Sequence, residues 1–157
     1  MNGPLGTRIT QAPSGPITSA ARARVTALVE SEAFAPAREV FLKSRLRTLL
    51  AGLAEYSPYL WSLARDNPAR AARLCAEAPE ASLETLLQDL ARAEYAGEAE
   101  AMGGLRDAKR EAALLVALAE IAGVWDIVAS TAALSRFADT AVSAALRFAL
   151  QEALSAR

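Results

Sequence analysis

The 157-residue chain contains no histidine. That removes the commonest general base, the Ser-His and Cys-His nucleophile pairs, and most zinc sites. Any chemistry would rest on carboxylates, lysine, tyrosine or a bound ligand. Cysteine occurs once, at Cys75, so no internal disulfide can form and a reducing cytosol is the natural compartment. Long apolar runs are also lacking. The longest, Ala112 to Ala119, is closed by Glu111 and Glu120, whereas a membrane span needs roughly 20 apolar residues. The opening "MNGPLGTRITQAPSGPITS" has neither a basic start nor an apolar stretch, so it does not read as a secretory signal. No excess of one charge exists: 17 basic and 18 acidic residues leave −1, which gives no general pull toward nucleic acid or anionic lipid. The expectation is a soluble, cytoplasmic protein with no nucleic-acid or membrane partner.

What is present points to helices. Hydrophobic residues make up 53% of the chain, enough for a real core in one domain and too many for a disordered chain. Alanine, leucine and arginine, the strongest helix formers, dominate after residue 18. No stretch alternates apolar and polar residues with β-branched enrichment, so no strands are expected. Residues 1–18 hold three of the glycines and three of the seven prolines and read as a flexible lead-in. Residues 19–157 read as one all-α domain, an irregular bundle of about six or seven helices.

Proline marks the joints. Ser57-Pro58 and Asn67-Pro68 each place a capping side chain before a proline at the first helical position, where the missing N–H costs nothing. Pro79 opens a further helix, and no proline follows it. The expected helices lie near 19–32, 36–55, 58–66, 68–77, 79–96, 99–122 and 126–155, with a candidate break around Ala138-Asp139. Two "PAR" triplets, at Pro36 and Pro68, stand 32 residues apart, near a helical-repeat period. A third copy near residue 100 is absent, which argues against a solenoid.

The stretch "LRDAKREAALLVALAEIAGVWDI", residues 105–127, shows how such a bundle closes. At 100° per residue Leu105, Ala108, Ala112, Leu115, Ala119 and Ala122 share one face, with Arg106, Lys109 and Arg110 opposite. Leu114, Leu118 and Ile121 broaden the apolar face in the second half, so Leu115 and Leu118 are assigned to the core. Gly123 suits a left-handed cap, Trp125 a packing plug, and Asp126 the cap of the next helix.

The basic trio Arg106, Lys109 and Arg110 sits early in its expected helix, where the macrodipole disfavours cations. It is either a solvated face beside Asp107 and Glu111 or a contact for an acidic partner or phosphate. Tyr56, Tyr59 and Trp61 could stack on nucleotides only if exposed beside basic groups; packing between short helices, with Trp61 in the core, is the reading preferred. Glu77, Glu80, Glu84, Glu94, Glu98 and Glu100 lack the Glu-x-x-His partners of a di-iron bundle and read as a solvated acidic face. Gly103-Gly104 lacks the spacing of a phosphate-binding loop. No residue of this chain is assigned to catalysis or to a metal.

Two stretches, "SPYLWSLARDNPARAARL" and "LRDAKREAALLVALAEIAGVWDIVASTAALSRFADTAVSAAL", resemble the N-terminal helical region of bacterial glutamine synthetase adenylyltransferases. In that family a Ser-Pro-aromatic stretch precedes a Leu-Arg-x-x-Lys/Arg-Arg-Glu helix, a Gly-x-Trp/Leu-Asp turn, and a helix carrying "ALSRFAD". The resemblance covers about residues 30–155. It implies a bifunctional parent enzyme that adds AMP to glutamine synthetase and removes it by phosphorolysis, under PII-type signal proteins. ATP and magnesium are implied for the full-length family, the metal being held by a Gly-Ser-Asp-x-Asp motif. That motif does not occur here, and the sequence stops at "LRFALQEALSAR", about where the family's first catalytic strand would begin. The resemblance thus implies a scaffold or substrate-contact portion of the deadenylylating half, inactive alone. A free-standing helical interaction module is the alternative.

Overall fold

A computed structural model describes residues 3–43 and 45–155, with Lys43 described by its backbone only. Eight α-helices account for most of these residues: α1 Ser19–Glu30, α2 Arg38–Lys43, α3 Leu46–Tyr56, α4 Pro58–Asp66, α5 Pro68–Ala76, α6 Pro79–Arg92, α7 Glu98–Ile121 and α8 Ile127–Ser155. Short 3-10 turns occupy Leu5–Thr7 and Glu32–Ala37, and no strand occurs among the described residues. No helix is long and apolar enough to cross a membrane.

The helix starts follow local chemistry. The Ser57 hydroxyl accepts the Leu60 amide at 3.4 Å, the Asn67 side-chain oxygen accepts the Arg70 amide at 2.9 Å, and Asp126 accepts the Ala129 amide at 2.8 Å. Each satisfies one of the orphan donors of a first turn. Three boundaries differ from the sequence reading, one being that the helix expected to reach 96 ends at Arg92. The helix expected over 36–55 is divided: Pro36 lies in a 3-10 turn, α2 ends at Lys43, and α3 begins anew with the Arg45 carbonyl accepting the Thr48 and Leu49 amides. The break expected at Ala138-Asp139 is absent, and α8 runs unbroken for 29 residues; neither residue disrupts a helical ladder by itself.

The helices form two packed groups around one core. In the first, α1 lies on α3, the Glu32–Ala37 turn lies on α5, and α3 adjoins α4. The second is a layer of α6, α7 and α8. Contacts from Glu80 to Trp125, Glu84 to Arg136, Ala93 to Arg147 and Tyr95 to Phe148 rise together along both chains. Helices α6 and α8 therefore run parallel, with α7 antiparallel between them in sequence. Packing of α4 on α7 joins the groups. A single apolar cluster extends from Leu5 through Phe34, Leu49, Trp61 and Leu115 to Ala133.

The lead-in has no α-helix, as its prolines and glycines require, but its described residues lie along the body. Leu5 is fully buried and its amide donates to the Glu77 carbonyl at 2.7 Å. Pro13 crosses α3 at Gly52, where a Cβ would come within 2.4 Å of the proline ring. Between these two contacts, at Thr10 and Gln11, the segment reaches the end of α7. There Gly123, at φ 67°, closes the helix with its amide on the Glu120 carbonyl and the Val124 amide on the Ala119 carbonyl, both at 2.9 Å. This is a Schellman ending, for which glycine has no steric cost. The Ala122 carbonyl, left over by that ending, accepts the amides of Thr10 and Gln11 at 2.9 and 3.2 Å. A segment with little helix propensity thus supplies the hydrogen bonds a helix terminus lacks.

Candidate functional site

Helix α7 carries the residues that the sequence singles out, and its two halves differ as expected. Leu115 and Leu118 are buried at 0 and 1% exposure, while Arg106, Lys109 and Arg110 are all exposed. The helix macrodipole does not oppose the trio where it stands. The helix begins at Glu98, so Arg106 lies beyond its second turn, and the field of the N-terminus has faded there. Arg110 pairs with Asp107 at 2.9 Å, an exposed i,i+3 contact. Neither Arg106 nor Lys109 has an ion-pair partner among the described residues.

One turn further on, Glu111 faces inward. Its carboxylate takes Arg70 of α5 at 3.3 Å on one oxygen and hydrogen-bonds Arg73 on the other. Arg73 also reaches Glu77 at 3.4 Å, and Glu77 accepts the Ser82 hydroxyl at 2.8 Å. These groups edge an open cleft of about 570 Å³ between α5, α6 and α7, which Asp89, Tyr95 and Asp107 also line. Burial works against the Arg73 charge, but the hydrogen bonds and charges of Glu111 and Glu77 prevail, raising its pKa above the ordinary value. Both arginines are committed to carboxylates, so they are not free donors awaiting a phosphate. The cluster fastens α5 to α7. Sequence reasoning missed it, although Arg70 and Arg73 at i,i+3 share a helix face and Glu111 stands where α7 changes from charged to apolar.

The glutamates read as one solvated face are exposed apart from the half-buried Glu77, and Glu77, Glu80 and Glu84 each also hold an arginine. Glu80 bonds Arg8 at 2.7 Å and accepts the Trp125 indole N–H at 2.9 Å; Glu84 bonds Arg136 at 2.7 Å. The Arg8 hydrogen bond, aided by Trp125 against some burial, holds the Glu80 pKa down at about 2. Trp125, 8% exposed, is the plug expected, with a polar tip fixed to α6. Trp61 is likewise core, at 4%. Tyr59 departs from its assignment: at the start of α4 it is 56% exposed, one turn before the buried Leu63. Tyr56 is also exposed, with its hydroxyl donating to the Pro16 carbonyl at 2.5 Å. Cys75 is fully buried and its thiol is pushed up to about 12 by desolvation, which leaves no thiolate for nucleophilic attack. Among the described residues no group of three or more Asp, Glu, Cys or His side chains is placed to hold a metal ion.

Comparison with known proteins identifies the region. The family model for glutamate-ammonia ligase adenylyltransferase matches residues 43–157. The chain belongs to that adenylyltransferase family. Among its adenylyltransferase relatives, the bifunctional glutamine synthetase adenylyltransferase/adenylyl-removing enzyme of Xanthobacter autotrophicus is 41% identical over 133 residues, 80% of this chain and 13% of that enzyme. The enzyme of the same name from a Bradyrhizobium species (strain BTAi1) is 42% identical over 132 residues, covering 82% of this chain and 13% of its own. That of Rhodopseudomonas palustris (strain CGA009) is 43% identical over 109 residues, covering 68% and 11%. The chain therefore spans about 13% of the length of these adenylyltransferases. No solved structure matches it.

Proposed function

We propose that this chain is the N-terminal helical portion of a glutamine synthetase adenylyltransferase/adenylyl-removing enzyme, acting as scaffold and substrate-contact region rather than as the catalyst. The observation that carries the reading is the family match over residues 43–157, whose described residues are mostly helical, in a chain that spans 13% of each of two bifunctional relatives. Its partners on this reading are glutamine synthetase and a PII-type signal protein, and its compartment is the cytoplasm. The solitary, deeply buried Cys75 suits a reducing environment.

Magnesium and ATP belong to the full-length enzyme on this reading, and the residues here do not fit them. Phosphoryl and nucleotidyl transfer need charge neutralisation by metal held on converging carboxylates. Glu80, Glu84 and Glu111 are instead engaged by arginines, and among the described residues no three acidic side chains gather to hold a metal ion. Arg106, Lys109 and Arg110 are the substrate-contact residues proposed: a basic, exposed surface on a rigid helix, with two of its cations unpaired.

The test is direct. Purified chain is incubated with adenylylated glutamine synthetase, phosphate and magnesium, and ADP is measured. The expected outcome is no ADP above the enzyme-free control. Turnover by this chain alone would place an active site within it and overturn the assignment.

A further inference from the structure

Helix α8 carries only four charged residues in 29, namely Arg136, Asp139, Arg147 and Glu152. Its inner side is spoken for: Ser130, Ala133 and Ala144 are buried, Arg136 bonds Glu84, and Phe148 meets Tyr95 edge-on. The opposite side is apolar as well. Val128 is 72% exposed, Leu134 46%, Val142 67%, Leu146 58%, Leu150 56% and Leu154 71%. From Val142 onward these recur every fourth residue, a continuous ridge along the last turns. A helix apolar on both sides is one that a larger protein encloses, and a contiguous exposed apolar stripe marks an interaction surface. Past Phe148 every described residue is exposed, so the final turns stand clear of the body.

We infer that the outward ridge of α8, Val142–Leu146–Leu150–Leu154, is the surface on which the remaining part of a full-length adenylyltransferase docks. The inference rests on the functional reading above. Two observations choose this occupant over a second copy of the chain. About 87% of the length of two of the relatives lies outside the matched region, the complement of 13%, so on this reading a large partner is covalently at hand at a high effective concentration. The projecting turns also expose Ala149, Ala153 and Leu154 around the helix, where one flat contact between two ridges would leave part of them wet.

Two measurements test it. In the first, the 157-residue chain is mixed with the Xanthobacter enzyme lacking its matched segment, and association is followed by calorimetry. Binding is expected, and the variant carrying Val142→Glu, Leu146→Glu and Leu150→Glu should bind at least about 100-fold more weakly, with unchanged helicity and unfolding midpoint. Equal binding by parent and variant would overturn the inference. In the second, which covers a remainder that does not fold alone, this chain replaces the matched segment within the full-length relative. Amide exchange over 142–154 should slow at least about tenfold relative to the isolated chain; unchanged exchange overturns it. Self-association of the isolated chain that Leu146→Glu abolishes, without protection in the full-length hybrid, would assign the ridge to a second copy instead. Adenylyl-removing activity of the hybrid is read separately. Protection without activity sinks the functional reading alone, and activity without protection sinks only the docking ridge.

Discussion

Helices α7 and α8 follow one another across a tight turn and are both rich in alanine and leucine, yet their leucines meet different surroundings. Leu114, Leu115 and Leu118 are at most 1% exposed, whereas Leu146, Leu150 and Leu154 are exposed by more than half. The charges differ in the same sense. Helix α7 has eight charged residues in 24, and most of them line its outer face in the first half. Helix α8 has four in 29, and they leave its outer ridge apolar. Hydrophobicity alone does not say whether a helix is already enclosed. The placement of charge does: α7 is finished within this chain, and α8 awaits a neighbour.

The largest test of that contrast is to truncate leucine in both helices. Leu115→Ala or Leu118→Ala should destabilise the chain by roughly 2–5 kcal/mol through cavity formation, while Leu150→Ala should shift stability by no more than about 0.5 kcal/mol. Urea unfolding of the three variants decides it, and comparable losses would end the contrast. Next comes the turn between the helices. Gly123→Ala forces a side chain into the left-handed region and brings its Cβ within 2.3 Å of the Thr10 hydroxyl; a cost of roughly 1–3 kcal/mol is expected.

A smaller effect should follow pH. The Glu80 pKa is held at about 2, below its ordinary 4.5, so its contribution is complete above 4.5 and is lost as pH falls toward 2. The Glu80 side chain is 46% exposed, so the effect is discounted for solvent screening to under about 1 kcal/mol. The stability gap between parent and Glu80→Gln, measured by thermal melts, should therefore be open at neutral pH and narrow below 4.5. A gap that widens on acidification would reverse the assignment.

The smallest expected effect on folding is at the exposed basic face. Reversing Arg106, Lys109 and Arg110 to Glu should alter stability by no more than about 0.5 kcal/mol, since the trio lies beyond the reach of the helix dipole. In the full-length hybrid, however, the reversal should weaken removal of AMP from glutamine synthetase. That loss should shrink as salt rises, because exposed charges are screened within about 8 Å at physiological ionic strength. Unchanged kinetics at low salt would return the trio to a solvated face.

Much of this fold is legible in the sequence because its signals are local. Ser57-Pro58, Asn67-Pro68, Gly123 and Asp126 act on neighbours three residues or fewer away in the helix they bound, and each is found capping as read. Leu115 and Leu118 are equally plain from helical period. What escapes notice depends on distance along the chain. Tyr59 cannot be placed by period alone when a nine-residue helix offers barely two turns to average. The division of 36–55 involves Arg45, whose guanidinium donates to the Thr10 carbonyl 35 residues earlier. The tie from Glu111 to Arg70 and Arg73 spans about 40 residues, and no periodic pattern announces it. The trio is legible as an exposed surface, while its purpose lies in whatever meets it.

The lead-in has a consequence for the order of events at the ribosome. Thr10 is made well before the carbonyl it satisfies, which belongs to Ala122, 112 residues later. At about 5–20 residues per second, roughly 6–22 seconds of synthesis separate the two. During that interval Leu5 and Pro13 can find α5 and α3, but the last stitch must wait until α7 has emerged and wound to its end. The Thr10 contact is thus secured long after Thr10 itself is made, and a nascent chain halted before residue 122 would carry that contact unmade.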